Sequence, residues 1–483
     1  MTVESTEPPL TQHRHDHWIG GKSVPPSGGG YLSTLDPRTR RAGDEVAAGT
    51  AADVDLAVDA AAEAQPAWGA LAAGERAVVL HAMADAIDAR ADELIVLERA
   101  ATGKLDAQAR MEVAMSASYF RYYAGVLRAH HGRTIDQGHR FHTYTRHEPY
   151  GVVGIITPWN YPQNQACRGG APALAAGNAV VIKPSEFTSP ATVHLGRVLA
   201  EAGLPGGLFN VVTGTGPVAG TALVTHPLVR RVTFTGSVAT GRAVAALAGD
   251  RLVPVTLELG GKSPIVVFAD ADLDRVVQAC VTVVAMNAGQ VCTATTRLIA
   301  AASIHDELVA RIVGAVAGLE PGIDFGPAIT EAQYHRVLQH FADASDAGLA
   351  PAIGGTAYAE GPGAEGLFIR PTVYVDVPPE ARIRREEIFG PVLVTISFTD
   401  EADALRIAND TEYGLYGSVW SGDVARGLRM AEQIEAGQIT VNGGPLTIET
   451  PLGGYKNSGY GREKGLEALD DYSQVKTISV ALS

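Results

Sequence analysis

Apolar positions along this chain change period from segment to segment. Between Gly151 and Leu257, short apolar runs read as strands buried on both faces: Gly151 to Thr157, Ala179 to Ile182, Leu208 to Val212, Val229 to Phe234 and Pro254 to Leu257. Stretches of helical spacing separate them. The clearest opens on Ser189 as N-cap, with Pro190 in its first turn, and stops at Gly203. Such alternation predicts a parallel sheet covered on both sides, with ligands at the carboxyl ends of its strands. After Glu258 a second α/β region begins with a strand at Pro264 to Phe268 and a helix from Asp272 towards Gly289, and continues to about Gly443.

The flanking segments have other patterns. Trp18 to Arg41 is rich in Gly, Pro and Ser, which predicts short extended pieces and turns. Thr50-Ala51-Ala52-Asp53 predicts a capping box opening a helix that runs to about Trp68. Alanine-rich helical pattern follows from Gly74 to about His131, with Gly103 as its break. Phe141 to Pro149 alternates polar and aromatic residues, as in an exposed edge strand that needs a partner, so it is marked as an oligomer contact. A last strand is expected at Val475 to Val480.

Length and charge narrow the class. A chain of 483 residues exceeds a single hydrophobic core, so two large domains are expected. With 46% hydrophobic residues, 19% charged residues and 54 glycines it reads as a packed α/β protein with many tight turns. The net charge of −15, without an acidic or basic block, disfavours nucleic acid and anionic membrane as partners. The polar start, Met1 to Pro9, has no signal region, and no apolar run is long enough to span a bilayer. Cys167, Cys280 and Cys292 show no metal spacing and are too few for a disulfide framework, which fits a reducing cytoplasm. His13-Arg14-His15-Asp16-His17 reads as a solvated cluster, and no metal is expected.

The chemistry sits at the strand ends. Cys292 alone of the cysteines lies among small and amide-bearing residues, Asn287-Ala288-Gly289-Gln290-Val291, after an apolar helical segment. A free thiol is only a few per cent ionised at neutral pH, so a nucleophilic Cys292 needs a base or positive charge nearby; Glu258, at the end of an apolar strand and before Gly260-Gly261, is the candidate. A cysteine taken alone is more often an inert core residue. Thr235-Gly236-Ser237 opens a helix suited to a phosphate, and Glu186 after a strand suits a ribose 2′-hydroxyl and repels a 2′-phosphate. The strict GxGxxG fingerprint is absent.

Taken together, the motifs resemble the aldehyde dehydrogenase superfamily from about Trp18 to the C-terminus. They are ThrProTrpAsnTyrPro at 157–162, LysProSerGlu at 183–186, PheThrGlySer at 234–237, GluLeuGlyGlyLys at 258–262, GlyGlnValCys at 289–292, GluGluIlePheGlyProVal at 386–392 and the Gly-rich segment at 453–463. The resemblance implies a Rossmann-like cofactor domain (1–130 and 150–258), an α/β catalytic domain (259–445) and a β-strand oligomerisation arm (131–149 and 465–483), assembled as a homodimer or homotetramer. It implies Cys292 as nucleophile, Glu258 as base and Asn160 at the oxyanion. It assigns the cofactor site to Thr157, Pro158, Trp159, Lys183, Ser185, Glu186, Gly216, Phe234, Gly236, Ser237, Thr240, Leu259, Gly260, Glu387 and Phe389. NAD is the expected cofactor, and NADP is also used by members with a glutamate at this position.

The substrate side is expected at Tyr161, Asn164, Gln165 and Arg168. Arg168 resembles members acting on aromatic aldehydes, with a structural ion pair as the alternative reading. A lysine and a glutamate that relay the base's proton in many relatives fall by spacing on Gly169 and Gln474, so the proton from Glu258 is expected to leave through water or other groups. Two rivals stand beside oxidation to the acid: acyl transfer to coenzyme A, whose enzymes generally lack the glutamate base, and a silent structural or binding protein on the same fold, which tends to lose the nucleophile.

Overall fold

A computed structural model of the chain describes residues 13–482, so the polar start at 1–9 lies outside the described residues. The expected parallel sheet forms the centre of an eight-stranded sheet. Its order is Gly459–Tyr460, Val255–Glu258, Val229–Thr235, Val152–Ile156, Ala179–Lys183, Phe209–Val211, His17–Ile19, Lys22–Val24. The five inner strands run parallel, and Val- and Ile-rich runs such as Ala179–Lys183 are buried throughout because helices cover both faces. Chain order reverses at Val152–Ile156, where the carboxyl ends splay to leave a crevice.

The helical first third supplies one cover. Helix Ala51–Ala70 opens as expected, with the Asp53 carboxylate accepting from the Thr50 N–H at 2.8 Å. It docks through side chains on the carbonyls at and just after the end of helix Pro162–Ala175: Trp68 Nε1 donates to Leu174 O at 2.8 Å and Gln65 Nε2 to Gly177 O at 2.9 Å. Gly103 is the break, a left-handed C-cap after Ala91–Thr102, and helix Asp106–Val126 follows.

The second region is a seven-stranded sheet ordered Pro351–Ile353, Thr372–Tyr374, Val392–Phe398, Arg297–Ala301, Pro264–Val267, Tyr416–Trp420, Gln438–Val441, parallel except at the first strand. The buried Arg297 guanidinium ties it to a neighbouring helix by donating to Ile407 O and Ala408 O at 3.0 and 2.8 Å. A third, antiparallel sheet joins Thr134–Ile135, Phe141–Pro149 and Ser473–Ala481, the last two in unbroken register from Pro149 opposite Ser473 to Phe141 opposite Ala481.

Three expectations need correction. Ser189 adopts helical backbone angles itself, so its hydroxyl does not reach back to the first turn and stays buried without a partner. The helix expected to run from Asp272 towards Gly289 ends at Ala285, because Asn287, Ala288 and Gly289 turn left-handed. The last strand is longer than Val475 to Val480 because pairing with Phe141–Pro149 holds both ends.

The tail also does something the periodicity did not announce. Its short strand Gly459–Tyr460 pairs with the end of Val255–Glu258, Leu257 opposite Tyr460 and Glu258 opposite Gly459. At Gly459, φ is +109° and a Cβ would lie 1.9 Å from Leu257 O, so only glycine permits the approach. The pairing is antiparallel, so Gly459 sits at the carboxyl end opposite Glu258 and the chain then turns back along the strand, with Gly461 against Thr256.

Candidate active site

Cys292 follows a left-handed turn. Asn287 and Ala288 have φ of +50° and +51°, a conformation non-glycine residues hold only when their surroundings fix it. Gln290 provides that fixing: its side chain donates to Asn287 O at 2.7 Å and Pro327 O at 3.1 Å and accepts from the Ile329 N–H at 2.9 Å. Gly289 (φ +71°) lies against Gly390, where a Cβ would come 2.1 Å from the carbonyl. Cys292 emerges half-buried, whereas Cys167 and Cys280 are sealed in the core with thiols pushed up to about 12 by burial.

Asn160 reaches the same place from the loop before helix Pro162–Ala175. Its Nδ2 donates to Gln290 O at 3.0 Å, its Oδ1 accepts from Gln165 Nε2 at 3.3 Å, and its backbone O accepts from Asn287 Nδ2 at 3.2 Å. One amide hydrogen of Asn160 is thereby committed, and the other is free to donate. Glu258 arrives at the end of its strand, 2% exposed, with Oε1 buried and without a hydrogen-bond partner. Cys292, Glu258, Asn160 and Gln165 line one cavity together with Leu259, Gly260, Glu387 and Phe389.

Charge in this cavity is unusual. Burial pushes the Glu258 carboxyl up to about 8, assisted by Glu463 and opposed by Arg168. Burial likewise pushes the Cys292 thiol up to about 11, with Arg168 pulling it down and Glu258 raising it. Burial lowers Lys464 to about 8. Both reactive groups are therefore protonated at rest near neutrality. Glu463 and Lys464 are the residues that the sequence reading missed, although the Gly-rich motif ended on Glu463. Glu463 is 2% exposed, held by a backbone bridge to Leu452, and ion-paired to Arg168 Nε.

That ion pair bears on two expectations. The Arg168 Nη2 donates to Thr235 Oγ1 at 3.0 Å and Gln165 Oε1 at 3.2 Å, so Nε and Nη2 both face protein partners, which is the ion-pair reading. The relay position that spacing puts at Gln474 carries an amide on the outer strand, donating to Pro149 O at 3.4 Å, and the group that stands near Glu258 instead is the Glu463 carboxyl. Tyr161 lies under the Lys104 ammonium, 4.4 Å from the ring centroid, and Asn164 Nδ2 is buried without a partner. Neither they nor Arg168 line this cavity.

A groove continues from the cavity across the crevice, sharing Pro158, Trp159, Gly236 and Ser237 with it. Its walls hold Thr157, Lys183, Ser185, Glu186, Gly216, Phe234 and Thr240, as expected. Lys183 Nζ pairs with Glu186 at 3.1 Å, and the Ser237 hydroxyl caps its helix by accepting from the Thr240 N–H at 3.3 Å. Thr157 Oγ1 is buried here with no partner. A carboxylate for a ribose, a helix N-terminus for a pyrophosphate and an orphan hydroxyl fit the expected dinucleotide. At the inner end Glu387 accepts from the Gly261 N–H at 2.9 Å, and the Phe389 ring meets Trp159 edge-on at 5.4 Å. Gln333, which also lines the cavity, locks this segment by donating to Ile388 O and Phe389 O. The histidines at 13–17 diverge: His15 pairs with Asp44, while His17 is buried and accepts from the Thr213 N–H.

Comparison with known proteins agrees with this geometry. A solved NAD-dependent aldehyde dehydrogenase from Sinorhizobium meliloti superposes with a TM-score of 0.94 at 39% identity, covering 97% of this chain and 95% of its own. HpcC from Thermus thermophilus gives 0.94 at 39%, covering 97% and 93%. A betaine aldehyde dehydrogenase from Staphylococcus aureus, in complex with NAD+, gives 0.94 at 33%, covering 96% and 94%. The profile of the Aldehyde dehydrogenase family matches residues 24–478, and this chain therefore belongs to that family.

Proposed function

We propose that the protein oxidises an aldehyde to its carboxylic acid with NAD. The carrying observation is that Cys292, Glu258 and Asn160 line one cavity with Glu387 and Phe389, and that this cavity runs into the groove holding Lys183, Glu186 and Ser237. Lys183 and Glu186 hold the adenosine ribose, Ser237 a pyrophosphate oxygen, and Glu387 the nicotinamide ribose, with Phe389 against it. The structures of similar proteins bound to NAD support this choice, and Glu186 disfavours a 2′-phosphate.

The Cys292 thiol gives up its proton to water, the Arg168 charge favouring the thiolate, and the thiolate attacks the aldehyde carbon, forming a C–S bond. The carbonyl oxygen becomes an oxyanion that accepts from the free Asn160 amide hydrogen and the Cys292 N–H, a contact of a kind whose loss costs roughly 3–4 kcal/mol in the barrier. The bound nicotinamide supplies the hydride acceptor that turns this adduct into a thioester. Glu258 then takes a proton from water as it attacks the thioester carbon. The C–S bond breaks, the acid leaves, and the proton passes from Glu258 towards Glu463, whose position Arg168 holds. Because the Arg168 charge is matched by Glu463, it offers no free cation to an aromatic ring substituent, and the aldehyde is proposed without that restriction.

The rivals meet the same residues. Glu258 supports water, not coenzyme A, as acyl acceptor, and the intact Cys292 and Asn160 weigh against a silent binding protein. The outer strand Ser473–Ala481 has one unpaired edge, with Val475 and Val480 exposed, which supports a homodimer or homotetramer joined through this sheet.

Cys292→Ala is expected to lower NADH production from any aldehyde by a factor on the order of 10⁴ or more while leaving NAD binding intact. Retained turnover would remove Cys292 from the chemistry. Glu258 is a base only when ionised, and its raised pKa of about 8 means that the active fraction grows as pH rises. Where hydrolysis limits turnover, kcat should climb about tenfold per unit below pH 8 and level off above it; a flat profile from pH 6 to 9 would count against this role. Light scattering after size exclusion should give a mass of two or four chains, and a monomer would refute the arm's assignment.

A further inference from the structure

Outside the active site, one cluster joins three segments distant in sequence. His130 follows the turn Leu127–Ala129 that ends the first helical region, His147 lies on the strand Phe141–Pro149, and Asp470 lies on the short helix Glu467–Asp471 just before the outer strand. His130 Nε2 is 2.9 Å from Asp470 Oδ1 and His147 Nδ1 is 3.8 Å from the same oxygen; the three atoms lie within 4.8 Å of one another. The two imidazoles stand 4.0 Å apart, centroid to centroid, tilted by 48°. We propose that these three side chains form a site for a divalent transition-metal cation of the zinc type, at the root of the edge-strand arm.

The chemistry selects that class. Two imidazole nitrogens and one carboxylate suit zinc, cobalt or nickel, whereas magnesium and calcium prefer an all-oxygen shell. With metal–ligand bonds of about 2.0–2.2 Å, ligand atoms in a tetrahedron stand about 3.3 Å apart. The two separations from Asp470 straddle that value, and the two histidine nitrogens lie within 4.8 Å of each other, so side-chain rotation brings the three atoms to a common ion. His147 Nδ1 supplies the independent sign: it is buried without a hydrogen-bond partner among the described residues, since 3.8 Å is too long for one. An ordinary His–Asp contact explains His130 and leaves that nitrogen unexplained. Three protein ligands leave a fourth position for water. Arg133 and His131 lie close enough to oppose added positive charge, which weakens the site relative to an uncharged surrounding. A bound cation would tie the end of the helical region to both long strands of the arm and stabilise it by mass action.

The test uses untagged, chelator-stripped full-length protein carrying Cys292→Ala, so that the reactive thiol takes no metal. Cobalt(II) is titrated while its visible d–d band is followed, zinc chloride by calorimetry, and magnesium chloride as the contrast. One equivalent of cobalt per chain with a tetrahedral spectrum, displaced by zinc and ignored by magnesium, is expected. His147→Ala and Asp470→Asn should each weaken binding at least tenfold and abolish the zinc-induced rise in melting temperature; Asp470 is 64% exposed, so its amide variant folds. Absence of binding, or binding unchanged in both variants as if the ion sat on the N-terminal histidines, overturns the proposal.

Discussion

A buried carboxyl with one oxygen lacking any hydrogen-bond partner is the feature on which this site turns. Taking a carboxylate out of water costs several kcal/mol unless it is paired, and Glu258 answers by holding its proton up to about pH 8. Its setting is built by the backbone: the strand Gly459–Tyr460 closes over the end of Val255–Glu258 and delivers Glu463 and Lys464 beside it. Two neighbouring carboxyls would repel if both ionised, and Arg168, charged throughout, favours Glu463 as the ionised one. Glu258 is left as the member able to exchange a proton near working pH, which suits a base that must both take and release one.

The same economy of parts governs the nucleophile. Three consecutive left-handed residues cannot persist by propensity, and the Gln290 side chain makes three hydrogen bonds that hold them. Asn160 is bolted to the same turn through Gln290 O and Asn287. The Asn160 amide and the Cys292 sulfur are thus positioned by one shared network, so a shift in either displaces both.

Much of this was legible in the amino-acid order. Valine- and isoleucine-rich runs announced the inner strands because burial on both faces leaves no room for polar alternation. Gly103 stopped its helix because a left-handed cap favours glycine, and the motif residues at strand ends converged because parallel sheets gather carboxyl ends along one edge. What stayed hidden depended on contacts across the chain. Ser189 has the right residue type for a cap but the wrong backbone angles. The left-handed turn at Asn287 and Ala288 is imposed by Gln290 and the loop at 327–329, which no local pattern encodes. Glu463 was not singled out because nothing local in a glycine-rich tail shows that it packs near Glu258, and the engagement of Arg168 could not be read without Glu463.

The account depends on sulfur, carboxyl and amide acting on one carbon atom, with Glu258 needed only after the oxidation. Glu258→Gln isolates that division of labour. Rapid mixing with NAD and an oxidisable aldehyde should release one NADH per site in a burst, followed by turnover slowed on the order of 10²- to 10⁴-fold. Mass spectrometry during the slow phase should find the acyl group on the peptide bearing Cys292. An undiminished steady state with no acyl adduct on that peptide would contradict the account.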